Sequence, residues 1–411
     1  MVPRKGHDRV SVSDVQIWLG LLVLAIWLIL VFARGDFWRC LDRDDLDDPP
    51  PPGQWPSVVA VIPARDEASV IATSLASLLA QDYPGEFHII LVDDQSADGT
   101  AQIARQCASG AGRAERLVIV SGAQPPQGWT GKVWAMAQGV KRARETFAPR
   151  YILFTDADIA HRPDNLRRVV ARAEAGGYGM VSLMATWRCQ SAAEKWMIPA
   201  FTYFFQMLYP FRWVSDARKK DAGAAGNCML TRADLLEKAG GIDSIANALI
   251  DDCALGARMK SVGPIWLGLS QRLQSLRPYP RFADIHKMVS RSAYAQLRFS
   301  PVWLAGAVLG LALTFFAPVL LAVSAPGIAG LCGIAAFVLM SVSFAPIQRF
   351  YGLPRWRALV LPLIAALYMV YTLDSALQYW RGRGGMWKGR AQAHIAYPAR
   401  EARKTIETET S

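Results

Sequence analysis

The sequence has few of the residues from which metal-knit or disulfide-bonded domains are made. Its six cysteines (40, 107, 189, 228, 253 and 332) form no Cys-x-x-Cys pair, and none has a histidine at ligand spacing. This argues against a structural zinc site and a disulfide framework, and a reducing compartment is sufficient. The five histidines are scattered and suggest no metal cluster. Charge is also sparse, at 19% charged against 52% hydrophobic residues, and it is missing in blocks. Ile17 to Ala33 is 17 residues without a charge, and Pro301 to Ile347 has none at all. No internal repeat is present, which excludes a solenoid or propeller. No small-x-small cleavage site follows Ala33, so the first apolar run reads as an uncleaved anchor and not as a signal peptide.

A bilayer core takes about 20 apolar residues per helix. On that measure, region 1–40 is an N-terminal membrane anchor with its span at about 17–33. Region 301–380 holds about three further membrane helices. Ser324-Ala325-Pro326-Gly327 divides the first two, and Ala358 to Leu373 forms the third. A buried core helix is the alternative for 17–33, but not for the continuous 301–347 stretch. A formal net charge of +11, taken alone, is compatible with a nucleic-acid partner. Much of the excess instead flanks apolar segments, as Arg349, Arg355 and Arg357, then Arg381, Arg383, Lys388 and Arg390. That placement favours anionic headgroups on the cytoplasmic side, with no nucleic acid, and 381–411 reads as a basic tail.

Residues 41–57 are acidic and then proline-rich, which predicts a stiff, solvated linker. From 58 to about 300 the pattern alternates. Apolar strand-like runs (Val58–Ile62, His88–Val92, Leu117–Val120, Tyr151–Phe154, Met180–Leu183) are separated by helical spacings such as Glu67–Leu79. This alternation predicts an α/β domain with a mainly parallel sheet and right-handed crossovers. Trp196 to Phe211 interrupts the pattern with an uncharged run of seven aromatics. Over 196–213 it reads as an interfacial segment, with a core helix as the alternative.

The chemistry sits at strand ends. Asp156-Ala157-Asp158 closes the run Tyr151–Phe154, Asp93-Asp94 closes His88–Val92, and Asp251-Asp252 follows Ala248-Leu249-Ile250. Open α/β sheets bind ligands beyond the carboxyl ends of their strands. Alternate carboxylates there suit a hard cation, Mg²⁺ or Mn²⁺, that grips a diphosphate. The bland reading of Asp251-Asp252 is a pair of acids capping a helix over Cys253–Lys260.

Val58-Val59-Ala60-Val61-Ile62-Pro63-Ala64-Arg65-Asp66-Glu67, then Val92 to Thr100, then Asp156-Ala157-Asp158 follow one another in a distinctive order. The chain thereby resembles family 2 inverting glycosyltransferases of the GT-A (Rossmann-like) fold over roughly residues 58–265. Gly128-Trp129-Thr130-Gly131-Lys132, Ala200 to Phe211 and Ala248 to Leu255 are most similar to the membrane-bound glycosyltransferases associated with hopanoid biosynthesis. Ceramide-glucosylating enzymes are more distant. The resemblance implies a GT-A catalytic domain over 58–300, flanked by transmembrane helices in a multi-pass protein of the cell inner membrane. It implies transfer of one sugar from a nucleotide-diphosphate sugar, a UDP-sugar foremost, to a lipid acceptor. Pro63, Ala64, Glu67 and Asp94 would line the base pocket, Lys132 would lie near the phosphates, and Asp156 would reach the ribose or metal. Asp158 would ligate the metal, and Asp252, with Asp251 as fallback, would be the catalytic base. Gly226, Asn227 and Arg291 would face the acceptor. The chain departs from the family pattern at Ala137, where many members carry Asn. It also lacks the Gln-x-x-Arg-Trp signature of processive synthases, for Met288-Val289-Ser290-Arg291-Ser292 keeps only the arginine. Polyprenyl-phosphate, diacylglycerol or ceramide-like acceptors remain open, as does a non-catalytic membrane scaffold. Nucleotide sugars are cytosolic, which puts 58–300 inside. Four spans would then leave the basic tail outside, against the positive-inside tendency. Either the last apolar block does not cross or the tail breaks the rule.

Overall fold

The computed structural model describes residues 12–388, 390 and 391. Residues 1–11 of the expected anchor region and 392–411 of the expected basic tail lie outside the described residues. Helix α1 (Val12–Phe32) leads into a sheet built from β1 (Val58–Ala64), β2 (Phe87–Asp93), β3 (Leu117–Ser121), β4 (Tyr151–Phe154), β5 (Ile159–His161), β6 (Met180–Thr186), β7 (Cys228–Arg232) and β8 (Ile265–Ser275). Interleaved with these strands are α2 (Ile71–Leu79), α3 (Thr100–Gly110), α4 (Gly131–Thr146), α5 (Asn165–Gly176), α6 (Ala192–Leu208), α7 (Phe211–Ser215), α8 (Ala233–Lys238) and α9 (Asp251–Lys260). Next come α10 (Phe282–Ser290), α11 (Ala293–Gln296), α12 (Pro301–Leu311), α13 (Ala317–Ser324), α14 (Gly327–Phe350) and α15 (Leu361–Trp380).

The strand order is β3-β2-β1-β4-β7-β6-β8-β5. Every residue of β1 is buried, as the uninterrupted apolar run requires of a strand covered on both faces. The β3-β2-β1-β4 half is parallel, as expected. The other half is not, because β7 runs antiparallel to both β4 and β6, and β5 antiparallel to β8. The fold is therefore a mixed α/β sheet. Register explains where the carboxylates fall. Ala64 pairs with Asp93 and Val61 with Phe154, so residues 155–158 leave the sheet level with the end of β1. The pairing of Ile159 with Ser275 then carries Arg277 back to Asp158.

Two expectations need correction. The stiff, acidic linker is not solvated throughout. Asp44 is buried and its carboxylate accepts from Ser270 Oγ at 2.7 Å, while Asp47 pairs with Arg172 and Asp48 with Arg168. The acidic run finds basic partners on α5 that only the folded chain brings near. Helix α2 also begins at Ile71 and not at Glu67, since Glu67 is drawn into the crevice.

Four helices, Ser13–Phe32, Pro301–Ser324, Gly327–Phe350 and Arg355–Trp380, are long and apolar enough to cross a membrane. Prolines set their contacts. Pro318 has no N–H to give to the carbonyl four residues earlier, and a π-helical turn spans Ala312–Phe316. The Thr314 carbonyl instead accepts the Trp27 indole N–H from α1 at 2.7 Å. Pro199 acts the same way inside α6, where the freed Lys195 carbonyl accepts from Arg357 at 3.0 Å. Most of the aromatic run thus lies on the capped helix α6, opened by the Ser191/Glu194 capping box and packed on α14 through Tyr203, whose hydroxyl meets Ser343 at 2.7 Å, and its end opens α7.

Helix α15 differs from the other three apolar segments in how it is anchored. The chain enters it from Phe350, whose carbonyl accepts from Gln271 of β8, and from Arg357 on α6. Midway, the Tyr368 hydroxyl donates to the Met197 carbonyl at 2.9 Å. At its far end Asp374 meets His286 at 2.9 Å, and Ser375 accepts from the Tyr294 N–H at 3.0 Å. Both ends of α15 therefore rest on the α/β domain or on the short helices next to it.

Candidate active site

Gly226 marks the centre of the site. A methyl group built on its Cα would lie 3.5 Å from Asp252 Oδ2, 3.5 Å from Lys132 Nζ and 3.6 Å from Asp156 Oδ2. Three separate segments thus converge on one glycine, and backbone there admits a ligand that a side chain would exclude. Lys132 lies in the first turn of α4, where the helix dipole disfavours a cation. Two carboxylates offset this, Asp156 Oδ1 at 2.9 Å and Asp251 Oδ2 at 3.0 Å. The Asp251 contact is a charge contact without hydrogen-bond alignment. Burial works against the Lys132 ammonium, but Asp156 and Asp251 outweigh it and hold its pKa above the ordinary lysine value.

Asp252 takes a different set of partners. Its Oδ2 accepts from the Gly226 N–H at 3.0 Å and its Oδ1 from the Cys253 N–H at 2.7 Å. Burial and the adjoining Asp251 charge push its pKa up to about 6, with Lys132 pulling the other way. Both acids lie in the first turn of α9, as the helix-start reading expects, although the N-cap position itself is Ile250 and carries no side-chain cap.

Asp158 and Glu67 form the other wall. Arg277 Nε donates to Asp158 Oδ2 at 2.7 Å, and its Nη2 donates to Glu67 Oε1 and Oε2 at 2.6 and 2.8 Å. Lys388 adds a second cation, 2.9 Å from Glu67 Oε1 and hydrogen-bonded to the Asp66 carbonyl at 2.9 Å. Sequence reasoning missed both Arg277 and Lys388. Arg277 carried a faint signal in its place just past an apolar run, and Lys388 sat inside a run of basic residues.

The remaining expected residues are placed as follows. Asp94 is fully buried, and Arg65 Nη1 bonds its carbonyl at 2.6 Å and approaches its carboxylate at 3.5 Å. Pro63 and Ala64 end β1 beside it. The loops after β1 and β2 are stitched together, for Glu67 N–H donates to Thr100 Oγ1 and Ala97 N–H to Asp66 Oδ1, both at 2.8 Å. Asn227 is buried, and its side-chain oxygen accepts from Ala185 N–H at 3.2 Å, so its amide braces the sheet beside Gly226. Arg291 is exposed at the end of α10 and acts electrostatically on Tyr279, which also feels Asp156 and Asp158.

For a metal, the donor set is two carboxylates, Asp156 and Asp158, on either side of Ala157. Among the described residues no group of three His, Cys, Asp or Glu side chains is arranged to hold an ion. The set therefore fits a hard divalent cation that takes its other ligands from a diphosphate and water, and does not fit a metal held by protein alone.

A mixed α/β sheet with acidic doublets at its strand ends and facing cations defines a GT-A protein. Its likeness to solved structures agrees. The mannosyltransferase PcManGT of Pyrobaculum calidifontis, solved in complex with GDP-Man and Mn²⁺, superposes with a TM-score of 0.51 at 18% identity, covering 88% of this chain and 99% of that one. The Glycosyl transferase family 2 profile matches residues 59–240, and that of Glycosyl transferase family group 2 matches residues 151–374. The chain belongs to Glycosyl transferase family group 2, whose profile spans more than half of it. It is similar to the succinoglycan biosynthesis protein ExoO of Rhizobium meliloti, 32% identical over 130 residues, 32% of this chain and 33% of that protein. It is also similar to an N-acetylglucosaminyltransferase of Mesorhizobium japonicum, 42% identical over 57 residues, 14% of this chain and 13% of that protein. The matched stretches thus span a third or less of these curated relatives.

Proposed function

We propose that this chain is an inverting glycosyltransferase that moves one sugar from a nucleotide-diphosphate sugar to a membrane lipid. The observation that carries this is the convergence of Asp252, Lys132 and Asp156 on Gly226. A carboxylate whose pKa is close to the working pH lies beside a cation and a metal-competent carboxylate, around a patch of bare backbone. Asp94 and the end of β1 offer the base pocket, and a uracil N3–H suits the Asp94 carboxylate. Asp156 and Asp158 would hold a Mg²⁺ or Mn²⁺, which would supply Lewis-acid neutralisation of the leaving diphosphate. Lys132 and Arg277, released from their carboxylates, are the chain's own cations for the same charge. Asp252 accepts the proton of the acceptor hydroxyl as that oxygen bonds the anomeric carbon from the face opposite the leaving group.

A lipid acceptor is supported by the apolar helices α12 to α15 and by α6 and α10, which link them to the crevice. The hopanoid class rests on sequence phrases from Gly128–Lys132, Ala200–Phe211 and Ala248–Leu255. Mass spectrometry of membrane lipids with and without the protein, given labelled nucleotide sugars, tests the reading. A labelled lipid carrying one sugar is expected. Labelled oligosaccharide ladders, or no labelled lipid, would overturn it.

The contacts of α15 favour three membrane crossings, by α1, α12–α13 and α14, with α15 lying along the catalytic face. The catalytic domain and basic tail then share the cytoplasmic side, which removes the conflict with the positive-inside tendency. A cysteine at position 411 should react with an impermeant maleimide only from the side on which one at Arg218 reacts. Labelling from opposite sides would restore a fourth crossing.

A further inference from the structure

Where α14 meets the α/β domain, a cavity of about 870 Å³ opens between that helix and residues 38–46. Its walls differ in chemistry. Val342, Ala345 and Pro346 of α14 give an apolar floor, and Arg39, Arg43, Arg349 and Arg355 stand around it. Arg43 is neutralised by Asp45, and Arg39 lies 3.9 Å from Asp36. Arg349 and Arg355 are exposed, and among the described residues neither has a carboxylate partner. Arg349 is in the last turn of a helix long and apolar enough to cross a bilayer.

Two unpaired guanidinium groups at the mouth of an apolar trough suit a ligand with an anionic head and hydrocarbon tails. A soluble anion has no use for the floor, and an uncharged lipid has none for the arginines. The position also matches the level at which headgroups meet a spanning helix, where basic residues gain from anionic lipid. We propose that this cavity binds an anionic glycerophospholipid of the leaflet on the catalytic side. Its phosphate sits on Arg349 and Arg355, and its acyl chains run along Val342 and Ala345. None of the lining residues belongs to the Gly226 cluster, so this site is separate from donor and acceptor binding.

The test uses full-length protein in neutral detergent, titrated with dioleoyl phosphatidylglycerol or dioleoyl phosphatidylcholine, with bound lipid counted by native mass spectrometry. Phosphatidylglycerol should be retained in preference. The double variant R349Q/R355Q should bind it about 30-fold more weakly, the factor expected from about 1 kcal/mol per basic residue. Val342→Trp, which fills the floor and leaves the charge unchanged, should also weaken retention. Excess inorganic phosphate should not displace the lipid. Both arginines are exposed, so an unchanged melting temperature will show that the double variant is folded. Equal retention of the two lipids, unaltered binding by the double variant, or displacement by phosphate would each overturn the proposal, the last by reducing the site to a plain anion site.

Discussion

Replacing Asp252 by Asn separates catalysis from binding and from folding. The two carboxylate oxygens accept from two different backbone N–H groups, Gly226 at 3.0 Å and Cys253 at 2.7 Å. An amide has one acceptor oxygen, so one N–H loses its partner and faces an NH₂ group. Leaving a polar group of this kind unsatisfied costs about 1–3 kcal/mol, which the domain should survive. Losing the base should lower turnover by about 10²–10⁴-fold. Donor affinity should hardly change, because Lys132, Asp156, Asp158 and Arg277 are untouched. Single-turnover product formation by mass spectrometry, calorimetric titration of nucleoside diphosphate with Mn²⁺, and thermal denaturation read the three quantities separately. The sign with pH follows from the same group. The base works ionised, and its pKa is raised to about 6, so protonation sets in earlier on the acid side than for an ordinary Asp. Roughly nine-tenths should be ionised at pH 7 and a tenth at pH 5, giving an acid limb centred near pH 6 in kcat/KM. If Asp252→Asn keeps near-normal turnover while Asp251→Asn is dead, the base is Asp251. If both stay active, the base lies elsewhere and the reasoning is refuted.

Asp158→Ala should abolish the metal-dependent part of nucleoside diphosphate binding while Arg277 keeps its hold on Glu67; unchanged calorimetric affinity in Mn²⁺ would remove Asp158 from the metal site. Gly226→Ala places its methyl at ordinary contact distance from Asp252, Lys132 and Asp156. It should fold with little loss of stability yet lose about 10²-fold in kcat/KM by displacing the reacting groups; near-normal rates would show that nothing approaches this backbone. Gly256→Ala is the contrasting case. Its methyl would lie 2.8 Å from the Gly223 backbone, so it should push α9 from the loop carrying Gly226 and cost about 1–3 kcal/mol of stability as overpacking does, read as a lower melting temperature. An unchanged melting temperature would show that this contact has slack.

Part of the site was legible before folding because Asp94, Asp156 and Asp158 follow apolar strands, whereas Asp251-Asp252 follows a turn and opens α9. A run such as Tyr151–Phe154 can only be a buried strand, and whatever follows it must emerge at the sheet edge. Length and the absence of charge likewise announced the helices at 13–32, 301–324 and 327–350 without reference to any partner. The same signal marks 355–380, since an apolar helix looks alike whether it crosses a bilayer or lies against protein. Its hydrogen bonds to Lys195, Met197 and His286, made across 88 to 171 positions, were not legible in the sequence.

By itself the sequence determined which residues end the parallel strands β2 and β4, which helices are apolar throughout, and hence that Asp94, Asp156 and Asp158 emerge at one edge of the sheet. These depend on local periodicity, which each segment carries within itself. Only the tertiary structure decided which charge faces which. Arg277 finds Glu67 across 210 residues, Lys388 pairs with the same Glu67, and the linker acids find Arg168 and Arg172 on α5. The physical reason is that an ion pair has no sequence period. Any arginine can meet any carboxylate, and which pair forms depends on where the sheet register and the helix crossovers carry the two ends.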